Sequence, residues 1–226
     1  MPSIGLLNEK PLHASLKRWY AQPGDRLEVQ VDGFVVDIVR DDLLVEIQTG
    51  SIASIKSKLT ALVQTHPLRL VYPIAQEKWI VKPAGGAKGK GTRRRSPKRG
   101  RVEDLFWEMV GLPHLLPNRN FSLEILMIKE EEARRYDGNR AWRRQGWVTE
   151  ERRLLEVVDR RLFERPADWQ ALLPEGLQSF TARDLAEALD IASELAQRMV
   201  YLLREGSVIQ QTGRRGRAYL YALPGA

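Results

Sequence analysis

The stretch 34–59, FVVDIVRDDLLVEIQTGSIASIKSKL, constrains this chain most, because acidic residues there interrupt apolar runs of strand character. Val35, Val36, Ile38 and Val39 lead into Arg40-Asp41-Asp42, and Leu43, Leu44, Val45 and Ile47 lead out, the pattern of two β-strands joined by a tight turn. With Asp41-Asp42 as the turn, Arg40 pairs with Leu43, Val39 with Leu44, Ile38 with Val45, and Asp37 with Glu46. Directly opposed side chains lie roughly 5 Å apart, where like charges destabilise a sheet, so a cation is expected between them. Gln48 shares the face of Glu46 by the strand period of two, giving an oxygen-rich cluster, while Val36, Ile38, Val45 and Ile47 form an apolar opposite face. Hard divalent cations such as Mg²⁺ take oxygen ligands of this kind. The same carboxylates on an exposed edge would instead block aggregation; the apolar flanks point to a sheet covered on both faces.

The flanking segments supply the rest of a unit. Residues 6–20 read as a helix, with Leu12, Leu16 and Trp19 at helical spacing, Glu9 and His13 sharing one face, and Gln22-Pro23-Gly24 ending it. Residues 26–31 alternate as a half-buried strand up to Asp32-Gly33. Ile52, Ile55, Leu59, Leu62 and Val63 recur with helical period, predicting an amphipathic helix from 51 or 54 to about 64, with Lys56 and Lys58 near its start. His66-Pro67 breaks it, and residues 68–74 and 78–81 read as two further strands.

An Asp, a short hairpin and Glu-x-Gln, set in the order helix, three strands, helix, strand, resembles the core of the PD-(D/E)xK (restriction-endonuclease-like) nuclease superfamily over about the first 82 residues. The resemblance implies an α/β fold with an αβββαβ core and mixed sheet, and Mg²⁺- or Mn²⁺-dependent hydrolysis of phosphodiester bonds in DNA. Asp37 and Glu46 would be the metal ligands, and Gln48 stands where the superfamily usually has lysine. Some members carry Gln there or supply the lysine from a neighbouring element, and Lys56 is the residue placed to do so here. Many members add a Glu from the first helix to the metal site, which carries Glu9 over.

Charge is located rather than diffuse. Residues 82–101 hold nine of the 36 Lys and Arg and no acid, among Gly, Pro and Ser, so 83–101 is expected to be a flexible basic linker or loop. Arg93, Arg94, Arg95, Lys98 and Arg99 are its candidate nucleic-acid contacts, since such a segment attracts a polyanion by releasing counterions; a solubilising spacer has the same composition. The absence of cysteine excludes disulfides and thiolate zinc sites. No apolar run approaches the roughly 18 residues a spanning helix needs, and the start shows no apolar leader, so a cytoplasmic protein is expected.

Residues 102–175 read as an extension of the core, with a helix over 102–110, a strand over 121–128 and a densely charged region beyond. From 176 to 226 the pattern sharpens. Thr181-Ala-Arg-Asp184 opens a short helix as a capping box, residues 190–192 turn, Ser193 caps a second helix ending at Gly206, and a hairpin follows with Gly213-Arg214-Arg215-Gly216 at its tip. This order resembles a winged helix-turn-helix over 180–223. The resemblance implies a second helix that reads DNA through Gln197 and Arg198, and a wing that touches phosphates through Arg214, Arg215 and Arg217.

Three functions compete on these grounds: a metal-dependent DNA nuclease, a catalytically inactive DNA-binding regulator or scaffold with the same fold, and a protein-interaction module. A metal ion between Asp37 and Glu46 favours the first, and a lysine or arginine there favours the second. The oligomeric state is open, a homodimer included.

Overall fold

The computed structural model describes residues 10–83, 91–138 and 145–225; Glu9 lies outside them. Helix α1 (Pro11–Tyr20) starts with proline at its first position and is followed by β1 (Arg26–Val31), β2 (Phe34–Arg40) and β3 (Leu43–Ile47). A 3₁₀ turn (Ile52–Ile55) runs into α2 (Lys56–Leu62), which leads to β4 (Leu68–Lys82). Next come β5 (Thr92–Arg95), α3 (Leu105–Met109), β6 (Phe121–Tyr136), β7 (Trp147–Phe163) and α4 (Pro166–Gln170). The chain ends with α5 (Ala182–Leu189), α6 (Ser193–Glu205), β8 (Gln210–Arg215) and β9 (Ala218–Ala222). Among the described residues no helix is long and apolar enough to cross a membrane.

The architecture is mixed α/β around one large mixed sheet, ordered β1-β2-β3-β4-β6-β7, with β5 also paired to β4. The β2–β3 hairpin has the register read from the sequence, Arg40 with Leu43 through Ile38 with Val45. Helix α2 then carries the chain across to β4, parallel to β3; β6 is parallel to β4 as well. Parallel strands need covering on both faces. Helix α1 covers one, where Leu12 and Leu16 meet Ile38, Val45, Ile47, Val71 and Leu126. Helices α2, α3, α5 and α6 cover the other, and Phe180, Leu195 and Met199 share one continuous cluster with Leu59 and Leu70.

Several expectations change. Val36 packs with the α2-side cluster while Ile38 packs with α1, so the two do not share the single apolar face expected of them; between them the regular β1–β2 pairing skips Asp37 and Glu28, whose φ is 53°. Residues 68–82 form one strand rather than two, with a bulge between Ala75 and Glu77 absorbing the polar interruption. The charged stretch after 128 continues β6, since its carboxylates are matched across the ladder: Lys129 Nζ lies 2.7 Å from Glu156, and Arg152 is 2.6 Å from Glu130. In the basic segment, Thr92–Arg95 is a strand on the edge of β4, not flexible linker. Gly100 closes that segment by touching β4 so nearly that a Cβ would sit 2.6 Å from the Ala75 carbonyl oxygen.

In the C-terminal unit the capping box forms as read, with Asp184 N–H donating to Thr181 Oγ1 at 3.2 Å and Thr181 N–H to Asp184 Oδ2 at 2.8 Å. Ser193 does not cap α6: Ala192 holds that position, and no side chain bonds the helix end. The hairpin turns at Gly216-Arg217, which places Arg214 and Arg215 within β8.

Candidate functional site

The hairpin brings Asp37, in the middle of β2, close to Glu46, the last residue but one of β3, level with the start of β4. Asp37 Oδ2 accepts the Ile47 backbone N–H at 2.8 Å and lies 3.2 Å from His13 Nε2 on α1. Glu46 is buried on the α2 side and ion-paired with Lys58 of α2, whose ammonium also donates to the Val35 carbonyl at 2.6 Å. The cation expected beside these carboxylates is therefore Lys58 at Glu46, while Asp37 is met by the His13 imidazole edge. The sequence points to Lys56 for this part, and the structure corrects it. Lys56 is exposed, because Ile55, Leu59 and Leu62 set the inward stripe of α2 and position 58 flanks it whereas 56 turns away.

Electrostatics separates the two acids. Burial works against a charge on Asp37, but the His13 hydrogen bond and the fields of His13 and Lys58, with the Ile47 N–H, hold its pKa below the usual carboxylate range. Burial, reinforced by the Asp37 charge and opposed by Lys58, pushes Glu46 up from 4.5 to about 7. Gln48 does not face the carboxylates: its amide donates to the Ser51 carbonyl at 2.7 Å and to Ser54 Oγ at 2.9 Å, pinning the turn that launches α2. Among the described residues no group of three or more His, Asp or Glu is arranged to hold a metal ion. Asp37 and Glu46 form a two-carboxylate set, the number from which Mg²⁺ is commonly held together with waters and substrate phosphates.

A cavity of about 580 Å³ opens on the same face, beyond Thr49. At its floor Glu130, fully buried, is 2.8 Å from Lys78 Nζ and 2.6 Å from Arg152. Arg152 also donates to the Thr49 carbonyl at 2.8 Å, tying β7 to the loop after Glu46 and Gln48. Glu132 is desolvated, yet Lys78 at 2.9 Å and Arg134 at 2.7 Å take its pKa down to about 2. Over the cavity Tyr72 is pushed up to about 12 by burial and the surrounding carboxylates. The one signal in the sequence is the i, i+2 spacing of Glu130 and Glu132, recognisable only once that segment is known to be a strand.

The remaining candidates are distributed. Arg93 stacks over Trp79 at 4.1 Å and bonds Glu131 at 2.7 Å, while Arg95 and Arg99 meet Glu77 at 2.6 and 3.0 Å; Arg94 and Lys98 are exposed. Gln197 is exposed on α6, but Arg198 lies over the Trp107 ring at 4.7 Å and 3.1 Å from Glu194, engaged against α3 rather than projecting outward. On the β8–β9 hairpin, Arg214 stacks on Tyr219 at 4.5 Å and Arg215 is ion-paired with Asp184, so a local acid neutralises one of the three arginines; Arg217 is exposed at the turn.

An uncharacterized protein of Treponema pallidum (strain Nichols) is 29% identical over 222 residues, covering 97% of this chain and 87% of that protein. No solved structure matches. Residues 10–164 match the family described as Domain of unknown function (DUF8091), a span that contains the whole large sheet, the Asp37–Glu46 pair and the cavity beside it, and ends where α4 begins. The chain belongs to that family.

Proposed function

We propose that the chain is a divalent-metal-dependent nuclease with a restriction-endonuclease-like core and a C-terminal winged helix. The observation that carries the reading is the convergence of two carboxylates and a lysine from three elements at one strand end: Asp37 from β2, Glu46 from β3, Lys58 from α2. Asp37 and Glu46 would hold the ion; burial raises the Glu46 pKa and repulsion from Asp37 adds to it, and a bound cation would relieve that repulsion. A metal so placed supplies a lowered pKa for bound water and neutralises charge on a scissile phosphate. Lys58 takes the part usually played by the lysine two residues after the acid, as a cation beside the Glu46 carboxylate. His13 keeps Asp37 ionised and fixes its carboxyl plane, and Gln48 holds the loop that orients Lys58.

A second reading, a catalytically inactive nucleic-acid-binding protein, is favoured by one observation: the Lys58 ammonium already neutralises Glu46. The experiment that separates them is incubation with single-stranded, duplex and branched DNA, with and without Mg²⁺ or Mn²⁺, for the parent, Asp37→Asn and Lys58→Met. Metal-dependent cleavage by the parent and its loss in both variants supports the nuclease. No cleavage under any condition, with DNA binding retained, establishes the second reading.

A further inference from the structure

Beyond the carboxylate pair, the face that carries Glu46 continues along the sheet through two groups of contacts. Arg152 touches Thr49 and Glu130; Lys78 joins Glu130 to Glu132; Arg134 meets Glu132; and further out Lys82 lies over the Trp147 ring at 4.3 Å, with Tyr136 against Trp147 at 5.5 Å. Helices cover the inner part of this face, whereas the extensions of β4, β6 and β7 carry it outward.

The layering of charge on this face is specific. The carboxylates lie underneath, with Glu130 fully buried and Glu132 4% exposed, and each is met by two cations. Solvent meets the cations: Lys78 and Arg152 are partly exposed, and Lys98 and Arg94 are exposed with no side-chain partner among the described residues. The two other acids of the cavity are directed at the backbone, Asp104 accepting from Arg101 N–H at 3.2 Å and Glu108 from Ile52 N–H at 3.2 Å. At the outer end Tyr136 is 61% exposed, although an aromatic ring of that size gains by burial, and its neighbour Trp147 is held by a cation. Cations along a groove followed by an aromatic platform suit a phosphodiester backbone whose bases are free to stack. A duplex offers no base faces to such a platform.

We propose that this face is the track of a single strand of nucleic acid, with Lys78, Arg152, Lys98 and Arg94 along the phosphates and the Trp147–Tyr136 pair stacking bases. The proposal rests on the nuclease reading for its direction, since the track leads from the loop after Glu46 outward. Gln48 N–H bonds the Val71 carbonyl, and Lys82 is eleven residues farther along β4. At about 3.3 Å per residue the track is roughly 35 Å long, at most about ten nucleotides at the 3.4 Å spacing of a stacked strand.

The test is metal-free binding of fluorescent oligothymidylates to the full chain, where cleavage plays no part. Affinity is expected to rise with length up to about ten nucleotides and then level off, and to exceed that for a duplex of equal length. Tyr136→Ala with Trp147→Ala should weaken single-strand binding about tenfold or more, whereas Trp147→Phe, which keeps a ring, should retain most of it. Arg94→Gln with Lys98→Gln should reduce the magnitude of the salt slope by about 0.7 for each phosphate no longer neutralised. Parent-like affinity in the double alanine variant, with circular dichroism unchanged, overturns the platform; a preference for duplex overturns the single-strand assignment. Absence of cleavage with metal present, alongside length-dependent single-strand binding, sinks only the nuclease reading and leaves the track standing.

Discussion

Replacing Glu46 by glutamine should make the protein more stable at pH 8 and leave it unchanged at pH 4. The Glu46 carboxyl has a pKa of about 7 in the fold against an ordinary value of 4.5. A raised carboxyl pKa means that the unfolded chain releases its proton first, so stability is complete below pH 4.5 and falls as pH rises to about 7. At about 1.4 kcal/mol per pH unit, ionising Glu46 inside the fold costs roughly 3 kcal/mol. Glutamine removes that loss but also weakens the contact with Lys58, so the net gain at pH 8 is expected to be about 2 kcal/mol. Asp37 does not confuse the window: its pKa is depressed, and its contribution is lost only on acidification below the usual carboxylate range. Urea denaturation of parent and variant at pH 4, 6 and 8 measures the difference directly. An equal difference at all three values would refute the argument, because it would mean that Glu46 carries the same charge throughout. Under the nuclease reading, Mg²⁺ should recover much of the parent's loss at pH 8, by about 2.7 kcal/mol at a hundredfold excess over its dissociation constant, and should do little for the variant.

Three further outcomes test the structure more widely. Lys58→Met should abolish metal-dependent cleavage while Lys56→Met cleaves like the parent, compared in a single-turnover gel assay; equal activity of the two variants would remove Lys58 from the site. Arg152→Ala leaves the fully buried Glu130 with Lys78 alone and cuts the tie to the Thr49 carbonyl, so thermal denaturation should show a loss of about 3 kcal/mol. Gly206→Ala places a Cβ 2.7 Å from Leu116 Cδ2 and 2.8 Å from its Cβ at the end of α6, and should destabilise by about 1–3 kcal/mol, measured by chemical denaturation.

The β2–β3 hairpin was legible because its signal is local: alternation, turn residues and the strand period together set which residue opposes which, and a slip of one position would turn every apolar side chain to the wrong face. The same locality made α1, α2, the capping box at Thr181 and the helix-turn-helix-hairpin order readable. Which lysine reaches Glu46 was not local. It depends on the 3₁₀ turn that precedes α2 and sets the helix phase, so only the folded chain selects Lys58 over Lys56. The basic segment misled for a related reason. Composition alone describes how Arg93, Arg95 and Arg99 would behave in water, but β4 and β6 present Glu77 and Glu131 to them, and paired charges on a strand no longer make a disordered chain. Likewise Glu130 and Glu132 look like solvated charges in a one-dimensional string. Burial at the floor of the cavity, with Lys78, Arg134 and Arg152 drawn from β4, β6 and β7, is a property of strand pairing between residues far apart in the chain. Sequence by itself determined the periodic elements and the β2–β3 register from Arg40–Leu43 to Ile38–Val45; tertiary structure decided what Asp37 and Glu46 meet, because a charge is stabilised by what lies within a few ångströms in space, whatever its distance along the chain.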